Sequence, residues 1–137
     1  MDPAEISGAA QTSAWSLRAR ARSFVHAGAG IAATLAHEPN AWIHALATGV
    51  VVAAGFALDV SRAEWCWLVV AISLVWAAEC FNTALESLAD AVAPDPHPLV
   101  GRAKDAAAGA VLVCALGASL IGLLVLGPRL LAWWGAA

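Results

Sequence analysis

Charge is what this sequence has least of. Only 12% of its 137 residues are Asp, Glu, Lys or Arg, against 61% hydrophobic, where soluble domains carry about 25% charged and about 45–50% apolar residues. The mean hydropathy is +0.76. This is the composition of a membrane protein, and the length suits one small domain. The net charge of −3 is too small to select acidic or basic partners, and the basic residues form no patch for nucleic acid. Three cysteines, Cys66, Cys80 and Cys114, show no CxxC spacing. They read as small buried hydrophobes rather than a disulfide framework or a metal site. His26, His37, His44 and His97 have no metal-ligand spacing among them and read as surface or interfacial residues. No apolar stretch follows Asp2, Pro3 and Glu5, so no signal peptide is expected. There is no Walker A sequence and no kinase-type Gly-rich loop, which excludes the soluble kinase folds.

The few charges that remain are not scattered. An apolar run from Trp65 to Ala78 continues without a break into Glu79, Asn82, Glu86 and Asp90. On a helix Glu79, Glu86 and Asp90 fall within about 40° of one another, with Asn82 about 60° to one side. Carboxylates in a membrane helix are costly, about 2.5–3.5 kcal/mol for Asp at the centre. Three on one face suggest a cation site or a proton-transfer site. The alternative is a helix end that emerges from the membrane and solvates its acids.

Along the chain, residues 1–13 are small and polar and are expected to be disordered. A helical pattern over 14–37 holds Arg18, Arg20 and Arg22 in its first half and Phe24, Val25, Ile31 and Leu35 later. It is too polar at its start to span and fits an amphipathic helix lying on the membrane surface. Pro39 suits the first turn of the next helix, with Glu38 at its mouth as cap or near-cap. Spans are expected at about 41–58, 65–90 and 100–127, the second longer than the roughly 20 residues a bilayer requires. Asp59, Ser61, Arg62 and Glu64 make the first connection, and Pro94, Pro96 and Pro98 force a loop in the second. Pro128 is expected to end the last span. Trp42, Trp65, Trp67, Trp133 and Trp134 lie near span ends, as in an aromatic belt. Small residues such as Gly101, Gly109, Gly117 and Gly122 supply faces for close helix packing.

Basic residues set the orientation. Arg18, Arg20 and Arg22 precede the first span, and Arg102 and Lys104 follow the second, whereas the first loop has Arg62 beside two acids. The positive-inside rule then puts the N-terminus and the second loop in the cytoplasm. Glu38, Glu79, Asn82, Glu86, Asp90, Arg102, Lys104 and Asp105 come to one level. Magnesium is usually held by one or two carboxylates with substrate phosphates, cations offset phosphate charge, and a carboxylate near the membrane plane can take a proton from a lipid hydroxyl. Phosphoryl transfer at the interface is one reading. An oligomeric proton or cation transporter and an assembly factor are the others, but a proton path needs acids spread through the membrane depth.

The pattern Glu79, Asn82, Thr83, Ala84, Glu86 and Asp90, followed by Gly101-Arg102-Ala103-Lys104-Asp105 and by Ala108 to Val113, resembles the prokaryotic diacylglycerol kinase family, which includes the undecaprenol kinases. The resemblance covers about Ser23 to Leu130. It implies an all-α membrane protein with three transmembrane helices, an N-terminal amphipathic surface helix and a homotrimeric assembly in the bacterial inner membrane. It also implies transfer of the γ-phosphoryl group of ATP, with Mg²⁺, to a membrane lipid alcohol. Matched residue by residue, Glu79 is the catalytic base. Glu38 and Glu86 bind metal, and Arg22, Asn82, Asp90, Lys104 and Asp105 bind nucleotide. His26, Ala27 and Trp42 depart from the family pattern in and after the surface helix. Asn40, Ile43-His44, His97-Pro98-Leu99 and Ala106 to Val113 are closer to the undecaprenol branch, so undecaprenol is the expected acceptor and diacylglycerol the alternative. Acceptor choice is expected to lie in a lipid-facing groove between spans of adjacent chains, lined by residues such as Ala45, Ala53, Val70 or Val75.

Overall fold

The structure, a computed structural model, describes residues 17–135. The expectation of disorder over 1–13 lies outside them. The described residues form four helices and no strand: α1 (Leu17–His37), α2 (Pro39–Ala57), α3 (Arg62–Val92) and α4 (Pro98–Gly135). The last three are long and apolar enough to cross a membrane. At 1.5 Å per residue α3 is about 46 Å long and α4 about 57 Å, against a hydrocarbon core of about 30 Å. Both therefore extend beyond the apolar layer.

The boundaries have local causes. A residue before proline is pushed out of the helical region, and Glu38 has φ −105° and ψ 114°. Pro39 then takes the first helical position of α2, where its missing N–H costs nothing. Asp59 turns the chain with φ 49°, a left-handed conformation that a short polar side chain tolerates. Ser61 and Glu64 form a reciprocal capping box at the start of α3. The Ser61 N–H donates to Glu64 Oε2 at 2.7 Å and the Glu64 N–H to Ser61 Oγ at 3.4 Å. Pro94 and Pro96 separate α3 from α4.

Two expectations fail. Pro128 does not end the last span, because α4 runs through it to Gly135. Proline removes one intrahelical hydrogen bond, but the next residue is held from outside. Arg129 donates to Glu64 Oε1 and Oε2 at 3.1 and 2.6 Å and to the carbonyls of Leu58 and Asp59 at 3.0 and 2.8 Å. Nor are the cysteines buried: Cys66 is exposed, and Cys80 and Cys114 are half-buried. In a chain whose outer surface meets hydrocarbon, an apolar side chain has no reason to turn inward.

The most extensive packing is between α3 and α4. An apolar core of Val60, Leu68 and Leu126, with Val51, Trp65 and Val125 around it, sits at the Arg129 end of the bundle. Trp65 lies against Gly55 and makes a tilted contact with Phe56 at 4.9 Å between ring centroids. The buried polar residues, Thr34, Glu79, Asn82 and Thr83, lie toward the opposite end. Between the ends, Trp76 Nε1 donates to Thr48 Oγ1 at 3.1 Å and ties α2 to α3. The apolar side of α1 is unpartnered, with Phe24, Val25 and Ile31 exposed, as a helix resting on a membrane surface requires. Its single buried residue, Thr34, packs beside Cys80 of α3. That contact brings the α1–α2 junction, and Glu38 with it, to the polar end.

Candidate functional site

Glu79 is the centre of the polar end. Its residue exposure is 1%, among the lowest in the chain. Counted from Glu64 at the opposite polar layer, Glu79 lies about 22 Å along α3, Glu86 about 33 Å and Asp90 about 39 Å. Measured against an apolar core of about 30 Å beginning at Glu64, Glu79 falls about 8 Å short of the far edge and Glu86 about 3 Å beyond it.

The neighbours of Glu79 come from three segments. His44 of α2 places Nε2 at 3.7 Å from Glu79 Oε2, with side-chain exposures of 15% and 2%. Glu38, at the α1–α2 junction, and Glu86, two turns along α3, are both close enough to act on Glu79 electrostatically. Glu38 occupies the N-cap position of α2, but its side chain makes no capping hydrogen bond, so its carboxylate is not committed to the helix end. The Thr83 hydroxyl donates to the Glu79 carbonyl at 3.0 Å and leaves the carboxylate alone.

Asn82 Nδ2 donates to Glu86 Oε1 at 3.1 Å. With the amide nitrogen donating and the carboxylate oxygen accepting, that contact orients the amide. Asn82 Oδ1 is then left buried with no hydrogen-bond partner. A buried acceptor of this kind normally has a donor or a cation beside it. One turn beyond Glu86, Lys104 Nζ donates to Asp90 Oδ1 at 2.7 Å and joins α4 to α3. Asp105 and Arg102 are exposed on the first turns of α4.

The sequence-derived set is thus mostly gathered. Glu38, Glu79, Asn82 and Glu86 form one cluster, with the Asp90–Lys104 pair adjacent along α3 and Asp105 next to it in the chain. Arg22 is not brought in: it is exposed on α1, about 18 Å along the helix from Thr34, where α1 meets α3. His44, read from the sequence as surface or interfacial, is instead half-buried against Glu79. A titratable side chain inside the apolar stretch from Ala41 to Leu46 was the signal available for it.

Among the described residues no three His, Cys, Asp or Glu side chains close on one point as a metal cage. A site for Mg²⁺ would need only one or two carboxylates together with substrate phosphates. Glu38 and Glu86 are oxygen donors of the right hardness on two different segments.

An apolar groove of about 610 Å³ begins at His44 and runs between α2, α3 and α4 toward the Leu126 end. Ala47, Ala71, Ala115 and Gly122 keep its walls low. This groove lies within one chain, and of Ala45, Ala53, Val70 and Val75 only Val75 lines it. Its volume is that of a ligand-sized cleft, roughly 300–1,000 Å³. It ends at the side chain that touches Glu79.

Comparison with known proteins agrees with these features. Residues 25–126 match the family model described as prokaryotic diacylglycerol kinase. The chain is 43% identical over 109 residues to an undecaprenol kinase of Bacillus subtilis (strain 168), covering 80% of this chain and 89% of that one. It is 38% identical over 110 residues to a diacylglycerol kinase of Synechocystis sp. (strain ATCC 27184 / PCC 6803 / Kazusa), covering 80% of this chain and 63% of that one. With three membrane-spanning helices and a matched segment that contains the whole carboxylate cluster, the chain belongs to the prokaryotic diacylglycerol kinase family and is a multi-pass membrane lipid kinase.

Proposed function

We propose that the protein phosphorylates undecaprenol, transferring the γ-phosphoryl group of Mg-ATP to the lipid's terminal hydroxyl. The observation that carries this reading is the groove: an apolar channel within the membrane-spanning bundle that ends beside a buried carboxylate. The hydroxyl end of a long hydrocarbon tail could lie along such a groove, and its hydroxyl would come to the level of Glu79. The similarity to an undecaprenol kinase over 89% of that protein's length supports the same acceptor. Diacylglycerol is the second reading, favoured by the similarity to a diacylglycerol kinase.

In this reading Glu79 is the general base. It accepts the hydroxyl proton as the acceptor oxygen attacks the γ-phosphorus. The new O–P bond forms as the bond to the β-phosphate oxygen breaks, and ADP leaves. Mg²⁺, when bound, neutralises phosphate charge, and Glu38 and Glu86 would hold it from the α1–α2 junction and α3. Asn82, Asp90, Lys104, Asp105 and Arg22 bind the nucleotide. The buried Asn82 Oδ1 awaits a donor, and Lys104 carries positive charge beside the acids. Arg22 reaches the site by the lie of α1 on the membrane or from another copy of the chain in a homotrimer. The N-terminus lies in the cytoplasm and the protein in the bacterial inner membrane, following the distribution of basic residues.

The acids speak against the transporter reading. Glu38, Glu79, Glu86 and Asp90 cluster at one end of the bundle, while the middle of the groove is apolar. A proton relay needs ionisable groups through the depth.

The test is a competition assay with undecaprenol and diacylglycerol in one mixed micelle and labelled ATP. The expected result is a higher kcat/KM for undecaprenol. A preference for diacylglycerol overturns the acceptor assignment and leaves the lipid kinase intact.

A further inference from the structure

We infer that His44 is a positioning residue for Glu79, holding the carboxylate so that one oxygen stays free for the acceptor hydroxyl. The inference rests on Glu79 acting as the general base.

Three observations meet at His44. First, its Nε2 lies 3.7 Å from Glu79 Oε2, with both side chains largely removed from solvent. A buried carboxylate with two further carboxylates acting on it, Glu38 and Glu86, requires a partner that donates. Second, three other basic side chains are engaged or distant, His37 among them through the Ala33 carbonyl at 2.8 Å. Lys104 is bonded to Asp90 at 2.7 Å, and Arg22 is exposed on α1. Third, His44 lines the head of the apolar groove, whereas Asn82, Glu86 and Asp90 follow Glu79 along α3 in the opposite direction. His44 therefore stands on the acceptor side of the carboxylate and the nucleotide residues on the other.

The present separation is longer than a hydrogen bond. Catalytic contacts are often long before substrate binds and tighten in the reactive complex. An N–H donor from His44 to Oε2 fixes the carboxylate plane and leaves Oε1 to take the hydroxyl proton. A base oriented by a third group is a recurring device in activated nucleophile chemistry. The α2–α3 contact maintains the register, because Trp76 donates to Thr48 one turn beyond His44.

The experiment is a mutant cycle on the full chain in mixed micelles with undecaprenol and Mg-ATP, reading kcat and the KM for ATP. His44→Ala is expected to lower kcat by about ten- to a hundred-fold, the scale of a misplaced reacting group. The KM for ATP should stay within about two-fold, because the residue acts on the acceptor side. His44→Gln keeps an N–H donor of similar reach and is expected to keep kcat within about five-fold. It also guards against a folding failure of the alanine variant. In a Glu79→Gln background, His44→Ala should cause no more than about a two-fold further loss, since a residue acting through Glu79 has nothing left to position. An equal loss in both backgrounds, a glutamine variant as impaired as the alanine one, or a normal kcat in His44→Ala overturns the inference. Undiminished turnover by Glu79→Gln itself would instead remove the base, a distinct result that fails the reading beneath.

Discussion

Arg129 and Glu64, 65 residues apart in the chain, meet in a two-pronged ion pair, with Nη2 2.6 Å from Oε2 and Nε 3.1 Å from Oε1. The same guanidinium satisfies the carbonyls of Leu58 and Asp59 at the end of α2, groups that the helix itself leaves unpaired. Glu64 is at once the capping-box acid of α3. One side chain of α4 therefore fastens the α2–α3 turn from the position after Pro128, where its own helix continues unbroken.

Arg129→Ala is expected to lower the stability of the bundle, and Arg129→Lys to recover only part of it, because an ammonium lacks the planar fork that serves four acceptor oxygens at once. Resistance to denaturing detergent, followed by helical circular dichroism, measures both. A lysine variant as stable as the parent would show that charge alone matters there.

Glu79→Gln should reduce kcat by about 10²–10⁴-fold, the usual contribution of a general base, while the KM for Mg-ATP changes by no more than a few-fold. Single-turnover phosphorylation with labelled ATP separates the two quantities. Near-normal turnover would remove Glu79 from the base role.

Glu38→Gln and Glu86→Gln should each raise the Mg²⁺ concentration needed for half-maximal activity, since each removes one hard oxygen ligand. The measurement is a magnesium titration of activity at fixed ATP. An unchanged titration in both variants would make these acids structural.

Gly55→Ala places a Cβ 2.7 Å from Trp65 Cη2 and 2.8 Å from Cζ2. The indole is also packed against Phe56, so it cannot swing away freely, and a loss of about 1–3 kcal/mol is expected from overpacking. Gly49→Ala is the control. Nothing lies within 4 Å of its added Cβ, so it should gain stability by roughly 0.5–1 kcal/mol from helix propensity. The two variants should move in opposite directions in the same detergent unfolding assay.

Much of this molecule is legible without coordinates. Apolar runs of spanning length have one stable form in lipid, because every backbone group must be satisfied within its own segment. The three long helices were therefore determined by the sequence alone, as were the break at Pro39 and the proline-rich second loop, where the constraint is covalent. The stripe of Glu79, Asn82, Glu86 and Asp90 was legible too, because helix periodicity converts spacing directly into a shared face. Pro128 was misread because its local rule is weaker than the tertiary anchor of the next residue, Arg129, on Glu64. The cysteines were misread because burial follows composition only when the surrounding solvent is water. His44 against Glu79, the open Asn82 Oδ1 and the groove that ends at His44 depend on how α2 and α4 lie across α3. Helix-on-helix registry is the sum of many small contacts, each worth little and none marked by a residue type, so only the tertiary structure decided them.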